Sequence, residues 1–176
     1  WAQDNGLDGA ALQAAMLRHT QQGRSVSLLA TAEQVLAVFA VADTLRPQAR
    51  EAVAQLQAMG ITPVMLSGDH PDAVRAMAAQ VDIHQAEGGL LPEDKLQRLH
   101  QLQTDGAVGM VGDGINDAPA LAQADMGFAM GGAHSTGMAM ETADVVLMND
   151  DLRRIPATIE LSRRAHVVLW QNIALA

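Results

Sequence analysis

VGDGIND, residues 111–117, follows the apolar run AVGMV (107–111) and sets two carboxylates and an amide among glycines where the chain must turn. Carboxylates this close repel one another, and a cation held between them removes the repulsion. Mg²⁺ suits such a place, because it is a hard ion that takes oxygen ligands and shares its remaining coordination with water and a phosphate. An apolar strand ending in a glycine-rich acidic turn is also how a parallel-sheet strand reads, with ligands beyond its carboxyl end.

The same form recurs on either side. ITPVML (61–66) is a short apolar strand ending in Ser67-Gly68-Asp69, while MGFAM (126–130) and VVLM (145–148) are further strands. Helices are expected between them. One runs from Pro47 to Met59, with Val53, Leu56 and Met59 on one face and Gly60 as its stop. Another follows Pro71, with Val74, Met77 and Val81 at helical spacing. PEDKLQRLHQLQ (92–103), opened by a proline and acids, residues 117–124 and a short stretch near 136–142 complete the set. Apolar strands alternating with amphipathic helices predict an α/β fold, a Rossmann-like parallel sheet with helices on both faces. In front of it lie a helical stretch around Ala10–His19 and a hairpin, Ser25–Ala30 and Val35–Val41, turning at TAEQ.

Composition narrows the function. A net charge of −9, with two Trp, two Phe and no Tyr, repels phosphate backbones and offers few stacking platforms, so nucleic acid is an unsuitable partner. The absence of Cys rules out disulfides and thiolate metal sites. No apolar run reaches the roughly 18 residues of a membrane span. AHVVLWQNIALA (165–176), after Arg163 and Arg164, reads either as an ordinary buried helix or as the start of a membrane helix.

Three groups are expected on one rim: Ser67-Gly68-Asp69, Lys95 and the acids of 113–117. A hydroxyl, glycine N–H groups and an ammonium are what a phosphoryl group needs around its oxygens. Mg²⁺ neutralises the charge they cannot reach.

These residues resemble the catalytic part of P-type ATPases, within the haloacid-dehalogenase-like superfamily, and specifically the heavy-metal-transporting branch. The likeness is carried by ADTLRP (42–47), MLSGD (65–69), LLPEDK (90–95), VGDGINDAPAL (111–121) and ETADVVLM (141–148). The resemblance implies Asp113 as a Mg²⁺ ligand supported by Asp117, and Asn116 as a donor to the phosphoryl group. Ser67 and Gly68, followed by Asp69, match the hydroxyl and backbone donors, and Lys95 matches the charge-neutralising lysine. Asp43 and Arg46 fall at the hinge where the family contacts ATP. Residues 1–42 then look like the end of a nucleotide-binding domain that supplies the hairpin, 43–160 like the phosphorylation domain, and 161–176 like a helix leading into a truncated transmembrane segment. The parent so implied is a multi-pass pump with this segment on the cytoplasmic side. ATP and the transported metal are its ligands, and the metal is bound in a membrane domain.

One departure matters. The family's nucleophile is an aspartate in an Asp-Lys-Thr-Gly-Thr stretch, and no such stretch occurs in this sequence. It is expected upstream, on a strand between those ending at Ser67 and Asp113. The chain alone is therefore expected neither to phosphorylate itself nor to turn over ATP; acyl phosphate formed on it from labelled ATP would refute that. A second departure is Thr136 followed by Gly137 in GGAHSTGMAM (131–140), where many relatives carry Thr-Asp. The phrasing ETADVVLMNDDL with WQNIALA looks more like the zinc/cadmium group than the copper group. His70, His84, His100, His134 and His166 fit no compact zinc spacing, which leaves them surface and packing roles. Met126 and Met130 share an apolar strand, and with Met138 and Met140 are read as core filler more than as a copper site. The competing assignments are a soluble phosphatase of the same superfamily, which would need its own DxD nucleophile, and a non-enzymatic truncated binding module.

Overall fold

A computed structural model describes residues 9–21, 24–41, 44–112, 115–131, 137–149 and 151–175. In chain order they form α1 (Ala10–Gln21), β1 (Ser25–Ala30), β2 (Val35–Val41), α2 (Ala49–Ala58), β3 (Val64–Leu66), α3 (Pro71–Gln80) and β4 (Gln85–Glu87). Then follow α4 (Pro92–Gln103), β5 (Gly109–Gly112), a 3₁₀ turn (Ile115–Asp117), α5 (Ala118–Gln123), β6 (Met126–Met130), α6 (Gly137–Thr142), β7 (Val145–Leu147) and α7 (Arg154–Leu175). They fall into two compact units, residues 1–45 with 64–90, and residues 46–63 with 91–176.

In the first unit β1 and β2 pair antiparallel, as the hairpin pattern predicts. Thr31 closes their turn: its N–H donates to Gln34 O at 2.9 Å, and its Oγ1 accepts from Gln34 N at 3.2 Å. The strand expected from Ile61 begins only at Val64, because Pro63 has no N–H for a ladder and breaks the pattern. Its parallel partner β4 is Gln85-Ala86-Glu87, in register Val64↔Gln85 and Leu66↔Glu87. That strand is absent from the sequence-based expectation, since Gln-Ala-Glu carries no apolar signature and the pairing is made by backbone groups. On α3, Pro71 stands at the first turn and the exposed His70 accepts from Asp72 N through Nδ1 at 3.3 Å, capping the helix. Val74, Ala78 and Val81 form its buried face.

In the second unit β5, β6 and β7 run parallel in that order. Successive side chains of a strand point to opposite faces, and β6 shows both faces covered. Phe128 and Met130 pack with Leu147 and Ile155, against Leu56 of α2 and Ile159 of α7. Ala129 packs the other way, with Leu121 of α5 and Ala139 of α6. The expected parallel sheet with helices on both faces is thus present. The first unit's β3 and β4 form a parallel ladder of their own, and among the described residues β3 pairs with β4 alone and β5 with β6 alone. Of the methionines, Met130 belongs to this core, while Met126 and Met138 are exposed.

Side-chain carboxylates tie the strand ends. Asp125 accepts from Val108 N at 2.8 Å and from Gln103 Nε2 at 3.3 Å, joining the start of β6 to β5 and to the end of α4. The Val108 amide, then Gln103, hold its carboxyl below the usual carboxylate range. Asp144 accepts from Gly127 N at 2.7 Å. Arg153 donates to Asp151 through Nε and Nη2, both at 2.9 Å, and through Nη1 to Glu51 in the first turn of α2 at 3.3 Å. The guanidinium holds the Asp151 carboxyl below its ordinary range, and the two carboxylates raise the Arg153 pKa.

α7 begins before the stretch expected from sequence, at Arg154, with Pro156 in its first turn, where a missing N–H costs no helical bond. Ile155 and Pro156 are buried, whereas residues 160–175 are exposed throughout. Near its end Trp170 Nε1 donates to His166 Nε2 at 2.8 Å. Among the described residues no helix is long and apolar enough to cross a membrane.

Candidate functional site

Strand β5 stops at Gly112, and the 3₁₀ turn of Ile115–Asp117 carries Asn116 and Asp117 and leads into the N-terminus of α5. Asp113, with Gly114, lies outside the described residues. Pro119 at the start of α5 fixes the helical entry without wasting a donor. This arrangement turns Asp117 back onto the strand it has just left. A Cβ added at Gly112 would stand 2.7 Å from Asp117 Cβ and 3.1 Å from its Oδ2, so only glycine leaves room for the carboxylate. Asn116 is exposed.

Lys95 reaches the same place from α4. That helix opens at Pro92, and the Asp94 carboxylate bends back to accept from Leu91 N at 2.9 Å, satisfying one of the orphan donors of the first turn. With the helix start so fixed, Lys95 Nζ donates to Asp117 Oδ1 at 3.0 Å. The pair spans 22 residues of sequence and is mostly withdrawn from water, with side-chain exposures of 15% for Lys95 and 18% for Asp117. Lys95, Asp117 and the bare backbone of Gly112 are therefore one constellation.

The first unit holds the other turn. Ser67 Oγ donates to Asp69 Oδ2 at 2.8 Å and accepts from Asp69 N at 3.2 Å, a tight loop at the carboxyl end of β3. Backbone bonds brace it: Ser67 N donates to Glu87 O at 3.0 Å, Leu90 N to Ser67 O at 3.0 Å, and Gly89 N to Asp69 O at 2.7 Å. The return loop passes so close that a Cβ on Gly88 would meet Pro71 Cα at 2.7 Å and Asp69 O at 2.8 Å. Ser67 is half-buried, while Gly68 and Asp69 face solvent.

Of the residues singled out by sequence, Ser67, Gly68 and Asp69 lie in the first unit and Arg46, Lys95, Asn116 and Asp117 in the second. Arg46 is half-buried just before α2, its carbonyl accepting from Ala49 N at 3.0 Å. Asp43 and the 132–136 part of the loop that departs from the family pattern lie outside the described residues. Sequence reasoning passed over Gly112 as a site residue. Its signal was available, in a glycine placed directly between a buried strand and the acids.

The donor set fits Mg²⁺. Asp117 offers a hard, mostly withdrawn carboxylate beside a glycine cradle, and Mg²⁺ is commonly held by one or two carboxylates, the rest of its shell being water and phosphate oxygens.

The comparisons with known proteins identify the family. A family profile described as haloacid dehalogenase-like hydrolase matches residues 1–125. The chain is 45% identical over 157 residues to a probable cadmium-transporting ATPase of Alkalihalophilus pseudofirmus, covering 88% of this chain and 22% of that protein. It is 40% identical over 156 residues to copper-exporting P-type ATPase B of Archaeoglobus fulgidus, covering 89% and 22%. A crystal structure of a zinc-transporting PIB-type ATPase in its E2.Pi state superposes with a TM-score of 0.80 at 39% identity, over 94% of this chain and 27% of that one. The chain thus spans 22% of the length of these curated relatives.

Proposed function

Because the chain belongs to the haloacid dehalogenase-like hydrolase family, we propose that it is a catalytic portion of an ATP-driven pump for heavy-metal cations, zinc or cadmium in preference to copper. The observation that carries this is the pair of Lys95 and Asp117 seated against Gly112, supported by relatives whose names are those of metal-transporting ATPases. In the parent, residues 1–42 complete a nucleotide-binding domain, 43–160 form the phosphorylation domain, and 161–176 run toward the membrane from its cytoplasmic side.

Each side chain has a role in handling a phosphoryl group that passes from ATP to an aspartate on another part of the parent. Lys95 supplies an ammonium that pairs with phosphoryl oxygens. Ser67 turns its proton from Asp69 to the phosphoryl group, with Gly68 N–H and the Asn116 amide as further donors. Asp69 orients the Ser67 hydroxyl until then. Asp43 and Arg46 contact the nucleotide at the hinge. Asp113 and Asp117 would hold Mg²⁺, which when bound neutralises charge on the phosphoryl oxygens. Such preorganised donors act where charge develops, and that is the main resource for phosphoryl transfer.

Metal-stimulated ATP hydrolysis by the full-length parent in vesicles tests the proposal. Stimulation by Zn²⁺ or Cd²⁺ above that by Cu⁺ is expected. Hydrolysis indifferent to all three ions would remove the pump assignment.

A further inference from the structure

Lys95 is drawn to Asp117 by the same carboxylate charge that a divalent cation would use. Its ammonium lies 3.0 Å from Asp117 Oδ1, and both side chains are more than four-fifths withdrawn from water. Asp117 occupies the space that a side chain at residue 112 would fill, its Cβ 2.7 Å and its Oδ2 3.1 Å from where a Cβ on Gly112 would stand. Pro92 and the Asp94 bond to Leu91 N fix the start of α4 and so the root of Lys95, while its flexible stem lets the ammonium move between nearby oxygens. One carboxylate oxygen therefore faces one positive charge at close range in a partly dry setting.

We propose that Lys95 is a built-in competitor for Mg²⁺ at Asp117: its ammonium lowers the affinity of that carboxylate for the ion until a phosphoryl group draws the lysine away. The inference rests on the assignment of Asp117 to Mg²⁺ made above. Two cations sharing one carboxylate oppose each other, and the opposition is reciprocal in free energy. A phosphoryl group offers Lys95 other oxygens, so that phosphoryl binding and Mg²⁺ binding favour each other through this one side chain. Lys95 is in this sense a positioning residue for the cation as well as a donor to phosphate.

The test is a titration of the whole 176-residue chain with Mg²⁺ alone, by calorimetry, and with Mn²⁺ as a paramagnetic stand-in. Lys95→Met should bind the cation on the order of tenfold more tightly than the unsubstituted chain. Lys95→Arg, which keeps the charge, should stay near the original affinity. Arg153→Gln removes one positive charge far along the sequence and should change little, which separates the local effect from net charge. Asp117→Asn should weaken binding strongly. Melting curves of each variant establish that it is folded. If Asp117→Asn weakens binding while Lys95→Met leaves it unchanged or weaker, the competition is overturned and the Mg²⁺ assignment stands. If Asp117→Asn has no effect, or the unsubstituted chain binds no cation, both fall together.

Discussion

Lys95 and Arg153 are both cations that reach across the second unit to a carboxylate, yet they are set in opposite ways. Lys95 meets a single oxygen of Asp117 beside a strand end, at 15% exposure. Arg153 lies 42% exposed and spreads its guanidinium over Asp151, two residues away, and Glu51, 102 residues away. A guanidinium fork suits such divided, bidentate work, and an exposed pair is screened by water and salt. A lysine held in a drier place against one carboxylate is poorly used as a mere strut, because removing it from water costs more than an isolated pair returns. The contrast teaches that Arg153 joins α2 to the start of α7, whereas Lys95 sits where the proposed function needs a cation for a phosphoryl group.

The comparison breaks most visibly in chemistry. In the full-length parent, Lys95→Met is expected to slow phosphoenzyme formation by about 10²-fold or more, in line with the loss of a preorganised donor to a transferring group. Arg153→Met should leave that rate within about twofold, as expected for an exposed pair remote from the chemistry. Rapid-quench measurements with labelled ATP decide this, and equal losses in the two variants would erase the distinction.

Next in size is the glycine that seats Asp117. Gly112→Ala forces a methyl group to 2.7 Å from Asp117 Cβ, so the turn must shift. The cost should be about 1–3 kcal/mol, typical of overpacking, read from urea midpoints, and the variant should lose phosphoenzyme as well. A change in stability without a change in phosphorylation would detach Gly112 from the site. By contrast, Arg153→Gln should lower the melting temperature by no more than about 4 °C.

The smallest effect concerns pH. The Asp125 carboxyl is held below its ordinary range chiefly by the Val108 amide. Its stabilisation is therefore complete above the ordinary carboxylate pKa of about 3.9 and is lost as pH falls through the lower folded value. The gap in urea midpoint between the unsubstituted chain and Asp125→Asn should be open at pH 7 and close in strong acid. A gap constant with pH would assign the effect to shape alone.

Much of this was legible in the sequence, for identifiable reasons. α3 announces itself by a proline at the start and apolar residues at helical spacing, α4 by a proline and acids at its start, and the β1–β2 hairpin by two β-rich runs about a polar turn. The meeting of Lys95 with Asp117 follows from motifs placed at the starts of two helices. Other features have no local signature. β4 is polar and held by backbone pairing to β3, and Arg153 looks like any surface arginine until Glu51 is folded beside it. Gly112 is needed only because a residue further on folds back over it. Such contacts exist in three dimensions before they exist as a pattern of letters.

The most direct measurement is acyl-phosphate formation from labelled ATP in the full-length parent carrying Asp113→Asn. A phosphorylation machinery built on the VGDGIND turn requires Mg²⁺-dependent phosphoenzyme to vanish in that variant while the protein stays folded. Phosphoenzyme at the unsubstituted level would show that the turn holds no essential cation, and the proposed function would fall with it.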